Sequence, residues 1–194
     1  MNKIRTFSGI MFNPLDPNPD LIKIEDIAHA LSMLCRANGH FKSFYSVCQH
    51  SINCMQEAKA RGYSKQVQLA ALIHDASEAY LSDITRPVKR SLPKYLEVEK
   101  VLQEEIYKKY LEVPLSAEDA SKVIDIDNAI LYHEMLSFMD EKIYEKENIT
   151  LSFSDKLNIV VQRIYQHYKG YSSIDEIRDM NIDGVSGGVS GLPE

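Results

Sequence analysis

The sequence has little that would tie it to a membrane, a secretory route or a nucleic-acid duplex. No apolar run approaches the roughly 18–20 residues needed to cross a bilayer, and Met1 to Phe12 lacks the long apolar core of a signal peptide, so a cytoplasmic protein is expected. Cysteine is scarce. Cys35, Cys48 and Cys54 are odd in number and form no Cys-x-x-Cys pair, which points to neither a disulfide framework nor a zinc ribbon and leaves buried free thiols in a reducing compartment. Positive charge is short as well: 22 Lys and Arg stand against 28 Asp and Glu, for a net charge of −6. That balance argues against a duplex nucleic-acid partner, which wants a basic field. It leaves room for a small anionic ligand, because a metal and a few local cations can reverse the sign inside a pocket. Strand-like alternation of useful length is absent, and so is any internal repeat.

What is present has helical period. With 194 residues and a 44% hydrophobic share, the chain suits one domain with a sizeable core. Phe12 to Asp20 holds Pro14, Pro17 and Pro19 and reads as a turn-rich part of an irregular arm over residues 1–23. Ile24, Ile27, Ala28, Leu31 and Leu34 then make one apolar stripe, broken at Asn38-Gly39. A second helix is expected over Phe44 to Ala60, stopped by Gly62. A third is expected from a Ser64 cap to about Leu81. Pro87 and Pro93 bracket a short irregular segment, followed by an amphipathic helix through Val98, Val101, Leu102, Ile106 and Tyr110. Ser116-Ala117-Glu118-Asp119 resembles a capping box and opens a helix through Ile124, Ile130 and Leu131 to about Met139. Further helices are expected from Ser154 to near Gly170 and from Ser173. The expected fold is all-α, a helical bundle or orthogonal array forming a single domain over residues 1–183, with a flexible tail over 184–194.

The chemistry concentrates at His74-Asp75, which follows the apolar run Leu69-Ala70-Ala71-Leu72-Ile73. A buried carboxylate wants a partner or a metal, and a neutral imidazole beside it is a ready ligand for a first-row metal. With His50 upstream and Asp127 downstream, the set reads as one two-His, two-Asp site for a divalent ion: Mn, Fe, Co, Ni, Zn or Mg. Helix bundles build metal sites this way, from facing helices. Four protein ligands on an octahedral ion leave two positions open, as catalysis requires. Glu78, four residues after His74, is expected one turn along the same helix, where it can activate a metal-polarised water. Asp83 follows, then a basic cluster of Arg86, Lys89, Arg90 and Lys94 suited to phosphate oxygens.

At these residues the chain resembles the HD-domain phosphohydrolases, whose signature is a His, a His-Asp doublet and a later Asp on one divalent metal in an all-helical fold. Those positions match His50, His74 with Asp75, and Asp127. The closer resemblance is to the YfbR-like branch of bacterial 5′-deoxynucleotidases and to related phage deoxynucleotide phosphohydrolases. It rests on His74-Asp75-Ala76-Ser77-Glu78, Asp83, Pro87-Val88-Lys89, Arg36 and Tyr45 to Ser51, and covers roughly residues 12–135. The resemblance implies that Glu78 assists the attacking water and that Asp83 contacts the sugar or the nucleophile. It also implies that Arg36 binds phosphate or frames the nucleotide, and that Lys89 lies near the phosphate; Arg86 belongs to the same substrate-binding group. Two departures stand out. Ala37 replaces the aromatic residue that often follows the matched arginine, and Arg86 stands where a smaller residue is usual. The expected activity is metal-dependent hydrolysis of a nucleotide, as a 5′-deoxynucleotidase or a deoxynucleoside triphosphohydrolase. Its only expected partner is a small-molecule nucleotide, with homo-oligomerisation left open.

Bland alternatives exist for several of these residues. Arg36 also fits a helix C-terminal cation, and Asp83 also fits a turn cap. His29, His40 and His133 read as structural, and His167 as exposed. A non-catalytic metal- or nucleotide-binding sensor on the same scaffold is the alternative function. A di-iron oxygenase would need a second set of His and Asp ligands, which the sequence does not supply.

Overall fold

The computed structural model describes residues 2–139. The helices expected from Ser154 and Ser173, the tail over 184–194 and His167 lie outside the described residues. Within them, a two-stranded antiparallel hairpin, β1 (Ile4–Arg5) and β2 (Met11–Phe12), precedes seven α-helices. The helices are α1 (Ile24–Met33), α2 (Val47–Ala60), α3 (Lys65–Leu72), α4 (Glu78–Leu81), α5 (Arg86–Lys89), α6 (Pro93–Tyr110) and α7 (Ala117–Met139). The all-α expectation holds.

The hairpin was not foreseen. Its strands are two residues long, too short for any alternation, and the turn sets them: Thr6 N–H donates to Ile10 and Gly9 N–H to Thr6, with Gly9 at φ +88°. The arm is also tied down. Asp26 on α1 accepts from the backbone N–H and the hydroxyl of Ser8 at 2.6 and 2.9 Å, and Phe12 and Ile22 are fully buried. Pro19 opens a 3₁₀ turn, Pro19–Leu21, capped by the Asn18 side chain. Proline's fixed φ and missing N–H suit a first helical turn.

Helix α2 is three residues shorter than expected at its start. Ser46 is extended and its hydroxyl accepts from Gln49 N–H, a standard N-cap. The residues before it pair with the stretch after α1 instead, Arg36 N–H donating to Tyr45 and Val47 N–H to Leu34. The largest correction concerns the third helix. Ser64 does cap it, but α3 ends at Leu72 and a new single-turn helix, α4, begins at Glu78. His74, Asp75 and Ala76 lie in the turn between, so Glu78 does not share a helix with His74. The break comes from far along the chain. Gln103 on α6 donates to the Ile73 carbonyl and accepts from Ser77 N–H, serving backbone groups that a continuous helix would have paired itself. The segment between Pro87 and Pro93 is also not irregular throughout, since α5 carries Pro87 within its first turn and α6 starts on Pro93.

Helix α2 is the axis of the core, packed on α3 and α7, while α1 lies against α2 and α4. Leu102 and Ile106 of α6 and Ile126 and Ile130 of α7 are fully buried, each contributing about 2 kcal/mol of apolar burial. The outer faces carry Val101 and Ile124, both exposed rather than part of the buried stripe. Phe41, Tyr45 and Phe138 cluster with centroids 4.8–6.0 Å apart and hold the far end of α7 to the start of α2.

Candidate metal centre

Three pieces of chain converge on one point. His50 comes from the first half of α2, His74 and Asp75 from the turn after α3, and Asp127 from the middle of α7. The two imidazole Nε2 atoms stand 3.3 Å apart. Asp127 Oδ1 is 3.2 Å from His50 Nε2 and 3.8 Å from His74 Nε2. Asp75 Oδ2 is 3.6 and 3.3 Å from the same two atoms. Ligand atoms at about 2.1 Å from a shared ion lie about 3.0 Å apart on an octahedron and about 3.4 Å apart on a tetrahedron. Three of the five observed spacings, 3.2, 3.3 and 3.3 Å, fall within that range, and the other two, 3.6 and 3.8 Å, are a few tenths of an ångström wider.

The tautomers agree with the distances. His50 Nδ1 faces Glu134 Oε1 at 2.6 Å, and His74 Nδ1 faces the Ala71 carbonyl at 2.8 Å. An ionised carboxylate and a carbonyl only accept, so each Nδ1 carries the proton and each neutral ring turns an Nε2 lone pair inward. Two such lone pairs and two carboxylate oxygens facing one another repel unless a cation sits among them. The donor set therefore fits a divalent metal with nitrogen and oxygen ligands. Burial alone would lower the pKa of His50, and Arg36 works the same way. Cys54, Glu134 and Asp127 outweigh them and raise it well above the ordinary histidine value. Burial would raise that of Asp127, but His50 and His74 hold it far below the carboxylate range.

Cys54, one turn after His50 on α2, was not among the expected site residues. Its Sγ lies 3.5 Å from His50 Nε2, and His50, Cys54 and His74 form a group that could hold a metal ion. Burial pushes its thiol up to about 11.

Glu134 was not among the expected site residues either. Fully buried, it joins His50 to Arg36, whose Nε donates to Glu134 Oε2 at 2.9 Å. Arg36 then reaches both acidic members of the centre, Nη1 to Asp75 at 3.4 Å and Nη2 to Asp127 at 3.7 Å. Burial would raise the pKa of Glu134, yet Arg36 and His50 hold it down to about 2. The signal for Glu134 was its spacing: it lies seven residues after Asp127, two turns along the same face of α7.

The remaining candidates surround this core. Glu78 is buried, with Oε1 accepting from Lys89 Nζ at 3.2 Å and Oε2 without a protein partner. Burial, then Asp75 and Asp83, raises its pKa well above the usual glutamate value, against the pull of Lys89 and Arg36. Lys89 is shared with Glu99 at 2.7 Å and lies over the Tyr95 ring. Asp83 Oδ2 accepts from Ala37 N–H at 3.3 Å. That contact pins a turn in which Ala37 and Asn38 are both left-handed, φ 54° and 52°, a conformation costing roughly 1–3 kcal/mol at each such residue. Arg86 is the outermost, its guanidinium on Asp127 Oδ2 and Asn128 Oδ1. Of the other histidines, His29 stacks on Phe7 at 3.9 Å, His40 closes the turn after Arg36, and His133 lies edge-on to Tyr132.

No protein-family profile matches the chain. Over 110 residues, 57% of its length, it is 44% identical to the uncharacterized protein YfdR of Escherichia coli K12, and the match spans 59% of that protein. Over 146 residues, 71% of its length, it is 36% identical to the uncharacterized protein RCAP_rcc00048 of Rhodobacter capsulatus, covering 74% of that protein. Among the described residues, no helix is long and apolar enough to cross a membrane.

Proposed function

This chain belongs to the family of the Rhodobacter capsulatus protein RCAP_rcc00048, and from its own site we propose that it is a divalent-metal-dependent phosphohydrolase of the HD type. Its substrate is a nucleotide, as for a 5′-deoxynucleotidase or a deoxynucleoside triphosphohydrolase. The observation that carries this is the convergence of the His50 and His74 Nε2 lone pairs with oxygens of Asp75 and Asp127 at 3.2–3.8 Å. When bound there, a divalent ion polarises a water and a phosphate oxygen.

The chain's own groups do the rest. Glu78 takes the proton of the attacking water as the water oxygen bonds to phosphorus and the bond to the leaving oxygen breaks. Its buried, unpartnered Oε2 and its raised pKa suit it to accept a proton. Lys89 and Arg86 meet the phosphate charge from the rim. Arg36 contributes from the floor: of its five N–H groups only Nε makes a short contact with a carboxylate, and Nη1 and Nη2 stand at 3.4 and 3.7 Å from theirs, so donors remain for a phosphate oxygen.

The test is phosphate release from a panel of nucleoside mono-, di- and triphosphates with Mn²⁺, Co²⁺, Ni²⁺ or Mg²⁺. Turnover that disappears in Asp75→Asn, with helicity kept, supports the proposal. Absence of turnover across the panel, with nucleotide still bound, replaces it with a sensor.

A further inference from the structure

We infer that Glu134 is the positioning residue of the metal centre: its carboxylate fixes the tautomer and orientation of His50, and Arg36 fixes Glu134. The inference rests on the metal site proposed above and concerns two residues that do not themselves need to touch the ion. Glu134 is fully buried, as is His50, and the two meet at 2.6 Å across 84 residues of sequence. A carboxylate sealed in a core without partners would be strongly destabilising. This one has a partner on each oxygen, Arg36 Nε on Oε2 at 2.9 Å and His50 Nδ1 on Oε1 at 2.6 Å, and the Tyr45 hydroxyl is hydrogen-bonded to it as well.

The geometry leaves His50 one option. With its Nδ1 proton committed to an acceptor, the ring can neither flip nor shift its proton to Nε2 without stranding a buried charge. The negative charge behind the ring also makes Nε2 a stronger electron-pair donor toward a cation, the usual effect of a carboxylate behind a ligating imidazole. His74 lacks such a partner and relies on the neutral Ala71 carbonyl. The two imidazoles are therefore unequal: His50 is the anchored, more basic one, and His74 sits in a turn that side chains from elsewhere must hold. Arg36 completes the arrangement, because the same guanidinium that bonds Glu134 faces Asp75 and Asp127. It sets the distance between the positioning carboxylate and the two ligating ones, and it offsets their charge.

The experiment compares Glu134→Gln with the full-length wild type by metal-affinity measurement, using Zn²⁺ or Co²⁺ alone against a competing chelator. The amide keeps the shape and one of the two accepting oxygens, removes the charge, and sets an NH2 donor against either Arg36 Nε or His50 Nδ1. The expected result is a loss of affinity of roughly 10–100-fold with unchanged helicity, and a shifted visible absorption spectrum for bound Co²⁺. Equal affinity and an unchanged spectrum overturn the inference. A wild type that binds neither ion overturns the proposed metal site as well. Should Glu134→Gln fail to fold, nitrogen-15 NMR of the Zn²⁺-loaded wild type decides the matter. A His50 proton on Nδ1, shifted downfield by the carboxylate, supports the inference, and an Nδ1 without a proton overturns it.

Discussion

The side chain of Gln103 spans the turn that begins at Ile73: its Nε2 donates to the Ile73 carbonyl at 2.8 Å, and its Oε1 accepts from Ser77 N–H at 3.0 Å. Between these two bonds lie His74 and Asp75. A residue of α6 thereby holds both ends of the segment that brings an imidazole and a carboxylate to the centre. Gln103→Leu, close in volume, leaves both backbone groups without that partner and is expected to cost roughly 1–3 kcal/mol. Urea unfolding measures the cost. Metal affinity should fall with it, because the turn is no longer held in the ligating shape.

Metal itself should stabilise the fold. An ion bound only by the native state at 100 times its dissociation constant adds about 2.7 kcal/mol. A thermal melt should therefore rise by several degrees on adding Mn²⁺ or Co²⁺ and return on adding EDTA. Asp75→Asn should abolish the rise. A rise that survives this change would place the ion elsewhere.

Lys89 lowers the pKa of Glu78, and removing it leaves burial, Asp75 and Asp83 to act unopposed except by Arg36. Activity that needs ionised Glu78 rises with pH through that pKa. Lys89→Met is therefore expected to move the acidic limb of the pH–rate profile to higher pH. Below that pKa the variant should turn over more slowly than the wild type, with recovery under more alkaline conditions. An acidic limb that stays in place would remove Glu78 from the role of base.

Burial pushes the Cys48 thiol from 9.0 up to about 12. The unfolded chain gives up this proton from about pH 9, while the folded chain keeps it. The stability this contributes is complete below pH 9 and is lost as pH rises toward 12, at up to about 1.4 kcal/mol per pH unit. Denaturant unfolding between pH 8 and 10 should show the decline. Cys48→Ala should make it shallower, with the part due to Cys54 remaining.

The helices were legible because their apolar residues repeat with helical spacing and because Ser64 and Ser116 do cap helices. Their interruption at His74 was not. Nothing local in the run from Leu69 to Leu81 forbids a helix, and the competing hydrogen bonds come from Gln103, about 30 residues away. The residue types at the centre were legible for the opposite reason: His and Asp inside apolar stretches carry a cost that demands a purpose. Glu134 escaped notice because a glutamate on a long helix is ordinarily a solvated residue. Only its contacts with Arg36, 98 residues earlier, and with His50 distinguish it. Cys54 was visible at one turn from His50, but thiols are common among buried residues and the spacing alone did not separate it from core packing.

The convergence of α2, the His74 turn and α7 has a consequence for the chain as a polymer. The contact between His50 and Glu134 already encloses 84 residues of separation, and an ion shared by His50, His74 and Asp127 would knot the same distant stretches together. In mechanical terms it would work as a removable cross-link. Because such an ion leaves when the chain unfolds, the strength of this link follows the free metal concentration rather than a fixed restriction of the denatured chain. Metal supply would then set how long the protein survives proteases as well as whether it turns over.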